Sequence, residues 1–328
     1  TCALRSVPRR KTNDSSRRYG QRFYNVAQIE VNDSLKSISL GNVAILGVGL
    51  IGGSLAAGLK KTGRADRVWG FGRSQANLDK AIDLGLVDHA STALETVVKD
   101  ADVIVIAAPV GAIDGLLIQL KRHAPARAVI SDVGSTKTSV IQSARSALGG
   151  QFPYFVPAHP IAGSEKSGPS AAHPELFVDH WTVLTPVDET DPEALKQVAD
   201  MWTSVGARLK TMHPQAHDHS LGMISHLPHV TAYALMAQLA QQDDLNDLLD
   251  MAAGGFLDIT RIASSDPVMW RDIFLDNERE VLSLIEEQKK ILSDLQSLIS
   301  AKDSAGLEDW FIKAKRLRDR LAGGKTTP

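Results

Sequence analysis

A glycine-rich turn after a short apolar run constrains the fold more than any other feature of this sequence. The run Asn42–Leu46 is typical of a buried parallel strand. The spacing Gly-x-Gly-x-x-Gly follows at once in Gly47–Gly52, and small and apolar residues at helical spacing continue to Leu59. Strand, turn and helix in this order are the context in which the motif binds the pyrophosphate of a dinucleotide. We expect the cofactor to be bound by Gly47, Gly49, Leu50, Ile51 and Gly52.

The end of the second predicted strand, Arg67–Phe71, bears on which dinucleotide binds. NAD sites usually carry an Asp or Glu there, about 20 residues beyond the glycines, to bond the ribose 2′-hydroxyl. The run Gly70–Ser74 contains no carboxylate, whereas Arg73 could pair with a 2′-phosphate and Ser74 could donate a hydrogen bond to it. We therefore expect NADP, with NAD as the alternative if Arg73 is only a solvated loop cation.

Predicted strands and helices alternate from the glycine turn to Met212, and no convincing strand follows. This pattern indicates an α/β chain with a doubly wound, Rossmann-type dinucleotide-binding domain followed by an all-helical domain. The predicted boundaries are 1–40 for a basic extension, 41–212 for the dinucleotide-binding domain, 213–322 for the helical domain and 323–328 for a tail. The later strand candidates are Val103–Ala107, Ala128–Ser131, Tyr154–Pro157, Trp181–Thr185 and Arg208–Met212.

One segment of the helical region, Glu278–Ile299, carries an apolar stripe at helical spacing. We expect a homodimer that covers this stripe through the helical domain, although an intrachain core could cover it equally well. The stripe consists of Val281, Leu282, Leu284, Ile285, Ile291, Leu292, Leu295 and Leu298.

Charge, cysteine content and hydropathy indicate which kinds of binding partner and which cellular compartment to expect. The formal net charge of −2 gives no electrostatic case for nucleic acid or an anionic membrane. The only cysteine, Cys2, allows no internal disulfide or cysteine-based zinc site and fits a reducing compartment. No apolar run approaches the roughly 18–20 residues that span a bilayer. We expect a cytoplasmic protein that acts on a small molecule.

The first 40 residues are basic and poor in acids, with Asp14 the only acid before Glu30. Such a composition buries too little apolar surface to fold, so we expect a disordered extension. An organellar targeting segment is the alternative, which the lack of a clear apolar face disfavours.

Four later segments carry polar residues in a distinctive order. They are Ser131–Lys137, His159–Gly168, Ser225–His229 and Gly254–Ala263. Together with the glycine turn they resemble the prephenate/arogenate (cyclohexadienyl) dehydrogenase family of tyrosine biosynthesis. The resemblance runs from about Asn42 to about Leu321 and implies the same two-domain plan, with the helical domain forming a dimer.

The resemblance implies an oxidoreductase that uses NADP or NAD to decarboxylate prephenate, arogenate or both oxidatively. In that reaction hydride leaves the ring carbon that bears the 4-hydroxyl, the hydroxyl loses its proton, and the ring carboxylate departs as carbon dioxide. The products are 4-hydroxyphenylpyruvate from prephenate and tyrosine from arogenate. No residue decides between these substrates, although Glu165 could favour the ammonium group of arogenate.

The resemblance also assigns roles by position. His159 is implied to bond the 4-hydroxyl and take its proton, which requires a neutral imidazole and predicts a loss of activity in acid. Ser135 is implied to contact the same hydroxyl, and Arg261 to hold a substrate carboxylate in its planar fork. The other implied substrate residues are Ser225, His226, His229 and, at the rim of the pocket, Glu165.

Simpler structural interpretations remain open for these positions. His159 could be a structural histidine, Ser135 and Thr136 could cap a helix, and Arg261 could pair with a nearby aspartate. Lys137, placed one turn into its helix, could only complement local carboxylates.

A metal site is a further alternative, because His226 and His229 lie three residues apart on a helix predicted to begin near Pro214. No third ligand has suitable spacing, so we expect no metal. For His226, packing or helix capping is as well supported as substrate contact. The other histidines nearby are His213, His217 and His219.

Two other functions are compatible with the glycine turn. A 3-hydroxyacid dehydrogenase of the 6-phosphogluconate type has a similar two-domain plan, but it needs a catalytic lysine and gives no reason for His159–Glu165. A non-catalytic NADP-binding regulator would retain Gly47–Gly52 without needing His159, Ser135 and Arg261 together.

Overall fold

In the computed structural model, which describes residues 39–163 and 166–323, a parallel sheet with helices is followed by a smaller sheet and then by helices. The predicted extension and tail therefore lie outside the described residues, apart from residues 39, 40 and 323. The strands are β1 (Asn42–Leu46), β2 (Arg67–Phe71), β3 (His89–Ser91), β4 (Val103–Ile106), β5 (Val129–Asp132), β6 (Phe155–Val156), β7 (Ala158–Pro160), β8 (Trp181–Leu184) and β9 (Arg208–Thr211).

The helices of the dinucleotide-binding part are α1 (Leu50–Lys61), α2 (Gln75–Asp83), α3 (Leu94–Val98), α4 (Ile113–His123), α5 (Thr138–Leu148) and α6 (Pro192–Ser204). Those of the helical part are α7 (Pro214–Leu221), α8 (Leu227–Leu239), α9 (Leu245–Asp250), α10 (Gly254–Thr260), α11 (Pro267–Asp276), α12 (Glu278–Ser300) and α13 (Ser304–Gly323).

The main sheet has six parallel strands in the order β3-β2-β1-β4-β5-β6. Strand β4 is buried along its whole length and β1 along all but its first residue, because helices cover both faces of the sheet. The order reverses between β1 and β4, and open α/β sheets bind their ligands at the carboxyl ends of the strands beside such a reversal. The predicted doubly wound fold is confirmed, and its glycine turn lies at this point.

The last two predicted strands belong to the predicted dinucleotide-binding domain but do not extend its main sheet. Strand β8 pairs antiparallel with β7 and parallel with β9, which makes a separate three-stranded sheet. The break occurs at Pro157, which has no backbone N–H to donate to a ladder and whose carbonyl accepts from Thr185 (3.1 Å). The chain therefore leaves the main sheet immediately before His159.

Two apolar clusters, one on each side of the main sheet, form the core of the dinucleotide-binding part. One includes Leu55 and Leu59 of α1 and Trp202 of α6. The other includes Leu117 of α4 and Ile141 of α5. Burial of this apolar surface holds the helices against the sheet and so fixes the loops at the carboxyl edge of the strands.

The region from His213 to Gly323 contains no strand among the residues described, as predicted. Helix α7 continues through a π-helical turn, Gly222–His226, into α8, so the predicted helix from Pro214 is interrupted once. No helix in the described ranges is long and apolar enough to cross a membrane.

Candidate active site

The turn between β1 and α1 requires glycine at two of its three motif positions for steric reasons. Gly47 has a φ of +111°, and a Cβ there would lie 2.3 Å from the carbonyl oxygen of Ala107. A Cβ on Gly52 would lie 2.1 Å from the carbonyl oxygen of Gly47. These positions provide the tight turn and the close helix–strand packing that the motif requires.

Gly49, in contrast, faces open space, since apart from its immediate chain neighbours no described residue has a heavy atom within 4 Å of the place where its Cβ would be. It is the N-cap of α1, whose first turn has neither a side-chain cap nor an acidic residue. The first amides of α1, including those of Leu50 and Ile51, are therefore available to an anion that the helix N-terminus attracts. The turn fits the pyrophosphate of a dinucleotide.

The loop after β2 lies beside this turn, because the Gly47 N–H donates to the carbonyl of Phe71 (2.8 Å). Arg73 in this loop is exposed, and no acidic residue in the described ranges forms an ion pair with it. The Ser74 hydroxyl oxygen accepts from the Asn77 N–H (3.4 Å) as the N-cap of α2, which leaves its proton available to a ligand. Both residues therefore belong to the loop that lies beside the glycine turn.

A buried ion pair fixes the strand that carries His159. Lys137 Nζ pairs with the Asp132 carboxylate, and both side chains are completely buried. Asp132 Oδ1 accepts from the Ala158 N–H (3.2 Å), while Lys137 Nζ donates to the Ala158 carbonyl (2.8 Å). The residue before His159 is thus held by both of its backbone polar groups.

Lys137 does complement a local carboxylate, but its predicted place one turn into a helix is wrong. It is the N-cap residue of α5 and points into the core, where burial lowers the pKa of its ammonium and Asp132 opposes that shift. Each of these two buried groups supplies the opposite charge that the other requires.

His159 is linked to the helical part by a chain of hydrogen bonds. His159 Nδ1 lies 2.9 Å from His217 Nε2, and His217 Nδ1 lies 2.8 Å from Asp218 Oδ1. His217 is completely buried and Asp218 nearly so, both on α7. His159 itself is half-buried, and its Nε2 bonds to no described residue. One nitrogen of His159 is therefore occupied by the protein and the other is available.

Asp218 also caps α5, which belongs to the dinucleotide-binding part. Its Oδ1 accepts from the Lys137 N–H and its Oδ2 from the Thr138 N–H, both at 2.8 Å. The interpretation of Ser135 and Thr136 as the helix N-cap is therefore wrong, because the orphan amides of α5 receive a carboxylate from another domain. The Thr136 hydroxyl donates instead to Asp276.

Ser135 is half-buried in the loop between β5 and α5, two residues before the amide that Asp218 caps first. Its hydroxyl makes no hydrogen bond to a described residue, which leaves it available to a ligand. The loop is held on one side of Ser135 by the bond from the Gly134 N–H to Asp132 and on the other side by the bond from the Lys137 N–H to Asp218. These two bonds determine the position of Ser135.

A second cluster lies where α8 meets α11. His229 Nδ1 donates to the carbonyl of Ser225 (2.9 Å), and the ring stacks on Trp270 with centroids 3.5 Å apart. His226 is buried, and its Nδ1 accepts from the Asn277 amide (3.1 Å). The burial of His226 favours the packing role over direct substrate contact. The π-helical turn that ends at His226 places these residues, and such turns are frequent at functional sites.

Burial lowers the pKa of all four of these histidines, which favours their neutral form. It lowers the pKa of His226 to about 4. It also lowers the pKa of His229. The pKa of His159 falls well below 6.5, mainly through burial and to a smaller extent through the electrostatic effect of neighbouring His217 and Lys137. The pKa of His217 is lowered by burial despite its bond to Asp218. A neutral His159 is the form that can accept a proton.

Arg261 lies outside this buried cluster, exposed in the 3₁₀ turn Arg261–Ser264 between α10 and α11. Glu165 falls outside the described residues. No group of three or more His, Cys, Asp or Glu side chains within the described part of the chain is arranged to hold a metal ion.

The contacts made by His217, Asp218, Trp270 and Asn277 are not predicted by the sequence patterns. From the sequence, His217 is only one of three histidines near His226 and His229, without the spacing of a third metal ligand. It lies 58 residues from His159 along the chain, and no periodicity or motif links the two positions. The adjacency of a histidine and an aspartate at 217–218 was the one available signal, and it is weak without a third partner.

A dinucleotide turn at the switch point of a parallel sheet, joined to a helical domain beside a neutral histidine, defines a two-domain dehydrogenase. Two family models match this chain. They are described as "Prephenate dehydrogenase, nucleotide-binding domain" over residues 55–211 and "Prephenate dehydrogenase, dimerization domain" over residues 213–313.

Relatives and a solved structure agree with this match. The prephenate dehydrogenase of Bacillus subtilis (strain 168) is 37% identical over 284 residues, which are 85% of this chain and 76% of the relative. The cyclohexadienyl dehydrogenase of Zymomonas mobilis is 33% identical over 279 residues, 84% of this chain and 94% of the relative. A crystal structure of prephenate dehydrogenase from A. aeolicus with hydroxyphenyl propionate and NAD+ has a TM-score of 0.82 and 36% identity, covering 87% of this chain and 100% of that chain.

The chain belongs to the prephenate/arogenate dehydrogenase family. The predicted family and the predicted fold class are confirmed, and the protein is an oxidoreductase with a nicotinamide dinucleotide cofactor.

The buried neutral histidines make stability depend on pH. An unfolded chain binds protons at these rings below pH 6.5 while the folded chain does not, so the free energy of unfolding falls as the pH drops from 6.5 towards the folded pKa. For His226 the free energy of unfolding should decrease by about 2 kcal/mol between pH 7 and pH 5, from about 1.4 kcal/mol per pH unit below 6.5.

Urea denaturation at pH 7 and pH 5 measures this decrease in the free energy of unfolding. H226Q should lose about 2 kcal/mol less than the wild type, whereas H123Q, at an exposed position, should match the wild type. Equal losses in the wild type and H226Q would contradict this assignment.

Proposed function

We propose that this protein catalyses the NADP-dependent oxidative decarboxylation of prephenate, arogenate or both, giving 4-hydroxyphenylpyruvate or tyrosine. The observation that carries the proposal is the position of His159, whose Nδ1 is held by His217 and whose Nε2 is available. Burial lowers the pKa of this ring, which favours the neutral form that can act as a base. The substrate class is supported by family membership, since the relatives are named for prephenate and cyclohexadienyl substrates.

His159 acts first as a base and then as an acid in the proposed reaction. Its Nε2 accepts the proton of the substrate 4-hydroxyl while hydride leaves the ring carbon that bears this hydroxyl. The nicotinamide cofactor supplies the acceptor for that hydride when it is bound. The ring carboxylate departs as carbon dioxide, its bonding electron pair completes the aromatic ring, and His159 returns the proton to the phenolate oxygen. No proton remains on the protein after a turnover.

Ser135 and Arg261 hold the two ends of the substrate in this proposal. The unpaired hydroxyl of Ser135 contacts the 4-hydroxyl that His159 deprotonates, which limits its orientation. Arg261 binds a carboxylate of the substrate through its planar guanidinium. Ser225 and His229 line the pocket between them, and His226 supports it from within the core.

The choice between prephenate and arogenate depends on groups that contact the substrate side chain. The keto group of prephenate is neutral, whereas the amino group of arogenate is a cation at neutral pH. Burial lowers the pKa of His229, which disfavours a positive charge that would repel the cation. We propose that both substrates are accepted, with Glu165 favouring arogenate by its charge.

The cofactor in this proposal is NADP. Arg73 is exposed and unpaired among the described residues, and Ser74 has a free hydroxyl proton beside it. A 2′-phosphate would meet both, whereas the 2′-hydroxyl of NAD would find no carboxylate in the run from 70 to 74. NAD is the second candidate, because the solved relative from A. aeolicus contains NAD+.

The protein is also proposed to be a homodimer through its helical part. Of the predicted stripe on α12, Val281 and Leu284 are buried within the chain. Ile291 and Leu292, further along the same helix, are 52% and 56% exposed. A partner copy would remove this apolar surface from water, in agreement with the description of the second family model as a dimerization domain.

Replacement of His159 tests the proposed activity. NADPH formation is followed by absorbance with prephenate and with arogenate as separate substrates. Wild-type protein should turn over at least one of them, and H159N should lower kcat by about 10²- to 10⁴-fold because the base is lost. The Kd for NADP should change less than about threefold, since His159 lies outside the glycine turn.

The matched control is H123N, which changes a histidine at the exposed end of α4 and should leave kcat at the wild-type value. An H159N variant that keeps more than about a tenth of wild-type kcat would exclude His159 as the base. A wild-type protein that forms no NADPH or NADH with either substrate would refute the proposed function.

Replacement of Arg73 tests the cofactor. R73A removes one charge-assisted contact to the 2′-phosphate, so the ratio of kcat/KM for NADP to that for NAD should fall about 10- to 100-fold. R67A is the matched control, because Arg67 is an exposed arginine at the other end of β2. An unchanged ratio in R73A would show that Arg73 does not select the cofactor.

A further inference from the structure

The hydrogen-bond chain from Asp218 to His159 has a defined direction. The Asp218 carboxylate accepts two backbone N–H groups, from Lys137 and Thr138, which fix its orientation and favour its ionised form. An ionised carboxylate is an acceptor only, so the nitrogen of His217 that faces it, Nδ1, must carry a proton. The opposite arrangement would set a nitrogen lone pair against a carboxylate in a buried site.

The same logic continues to His159. A neutral imidazole has only one N–H. With the proton on His217 Nδ1, His217 Nε2 therefore carries a lone pair and can only accept a hydrogen bond. His159 Nδ1 lies 2.9 Å from His217 Nε2 and must therefore donate the hydrogen bond between these two nitrogens. His159 is then left with a lone pair on Nε2. This tautomer is the minor one for a neutral histidine in water, where Nε2–H is preferred.

We propose that His217 and Asp218 are positioning residues that hold His159 in the Nδ1–H tautomer, with Nε2 as the proton acceptor. The inference rests on the proposed function, in which His159 is the base. His217 and Asp218 do not touch the substrate in this arrangement. They act through His159, as a buried carboxylate acts through the catalytic histidine of other enzymes.

The hydrogen bonds from Asp218 through His217 to His159 keep a proton on His159 Nδ1 and do not conduct a proton away from the site. His217 is completely buried, so a proton that reached it could not pass directly to water. The proposed reaction needs no exit either, because His159 returns its proton to the phenolate oxygen. While His159 is an imidazolium, its Nδ1–H still points to His217, and the Asp218 charge stabilises the cation through that ring.

Asp218 also ties the orientation of the base to the docking of the two domains. The carboxylate lies on α7, whereas the amides that it caps begin α5, directly after the loop that carries Ser135. Movement of α7 away from α5 would release the cap and the His217 ring together. Asp218 therefore contacts both the ring that orients His159 and the end of the loop that carries Ser135.

The tautomer itself can be measured on the cofactor-bound protein. Protein labelled with ¹⁵N at histidine and bound to NADP gives long-range ¹H–¹⁵N spectra that distinguish Nδ1–H from Nε2–H rings. The signals of His159 and His217 are identified by their loss in H159N and H217Q. Both rings should show the Nδ1–H pattern at neutral pH. An Nε2–H pattern for His159 would overturn the proposal.

Two substitutions of His217 separate positioning from packing. H217F keeps a flat ring but removes the acceptor, so kcat should fall about 10- to 100-fold with little change in the Kd for NADP. H217Q offers a carbonyl oxygen to His159 Nδ1 and cannot carry a proton onwards, so it should keep kcat within about fivefold of wild type. Equal losses in the two variants would favour packing or proton conduction and contradict positioning.

The failures of the two proposals can be told apart. If wild-type protein oxidises prephenate or arogenate but His159 is an Nε2–H ring, only the positioning role is lost. If it oxidises neither, the proposed function fails whatever the tautomer. If H217F does not fold, shown by a lost thermal transition, the spectrum of the wild-type protein still decides.

Discussion

The carboxylate of Asp218 is the group on which the arrangement of the site depends most. It accepts the N–H groups of Lys137, the N-cap residue of α5, and of Thr138, the first residue of this helix, together with the ring proton of His217. This side chain therefore connects the dinucleotide-binding part to the helical part. A buried carboxylate that accepts from three donors is stable because its lone pairs are satisfied. Removal of this carboxylate would leave two backbone amides without hydrogen-bond partners. The orientation of His159 and the docking of the two domains therefore both depend on the Asp218 carboxylate.

The topology of the main sheet explains why distant segments meet. In a parallel sheet every strand ends at the same edge, and β1, β5 and β6 end at the glycine turn, at the Ser135 loop and just before His159 respectively. Pro157 then releases the chain from the sheet, and the pair formed by Lys137 and Asp132 holds it at that edge. Cofactor turn, serine and histidine converge without any local sequence relation between them.

Features that are local in the sequence were predicted well. The strand–turn–helix around Gly47 and the change to helices after Met212 rest on short-range patterns of apolar and small residues. The position of Lys137 was predicted wrongly, because burial of a lysine depends on a partner carboxylate and a backbone carbonyl that only the fold brings near. The second sheet was missed because apolar runs predict strands but do not say which strands pair.

The candidate site was predicted from resemblance at His159 and Ser135, but not its supporting network. The contact with His217 spans 58 residues, and its direction follows from a carboxylate whose other partners lie 80 and 81 residues away. Such contacts are tertiary, so no window along the chain contains them.

The most direct measurement of the central claim is a crystal structure of this protein with NADP+ and 4-hydroxyphenylpropionate, an analogue that retains the 4-hydroxyl. The expected result places the phenolic oxygen about 2.6–3.2 Å from His159 Nε2, with the bond from His159 Nδ1 to His217 unchanged. A complex in which the phenolic oxygen lies beyond hydrogen-bond reach of His159, or in which the His159–His217 bond is broken, would contradict the account.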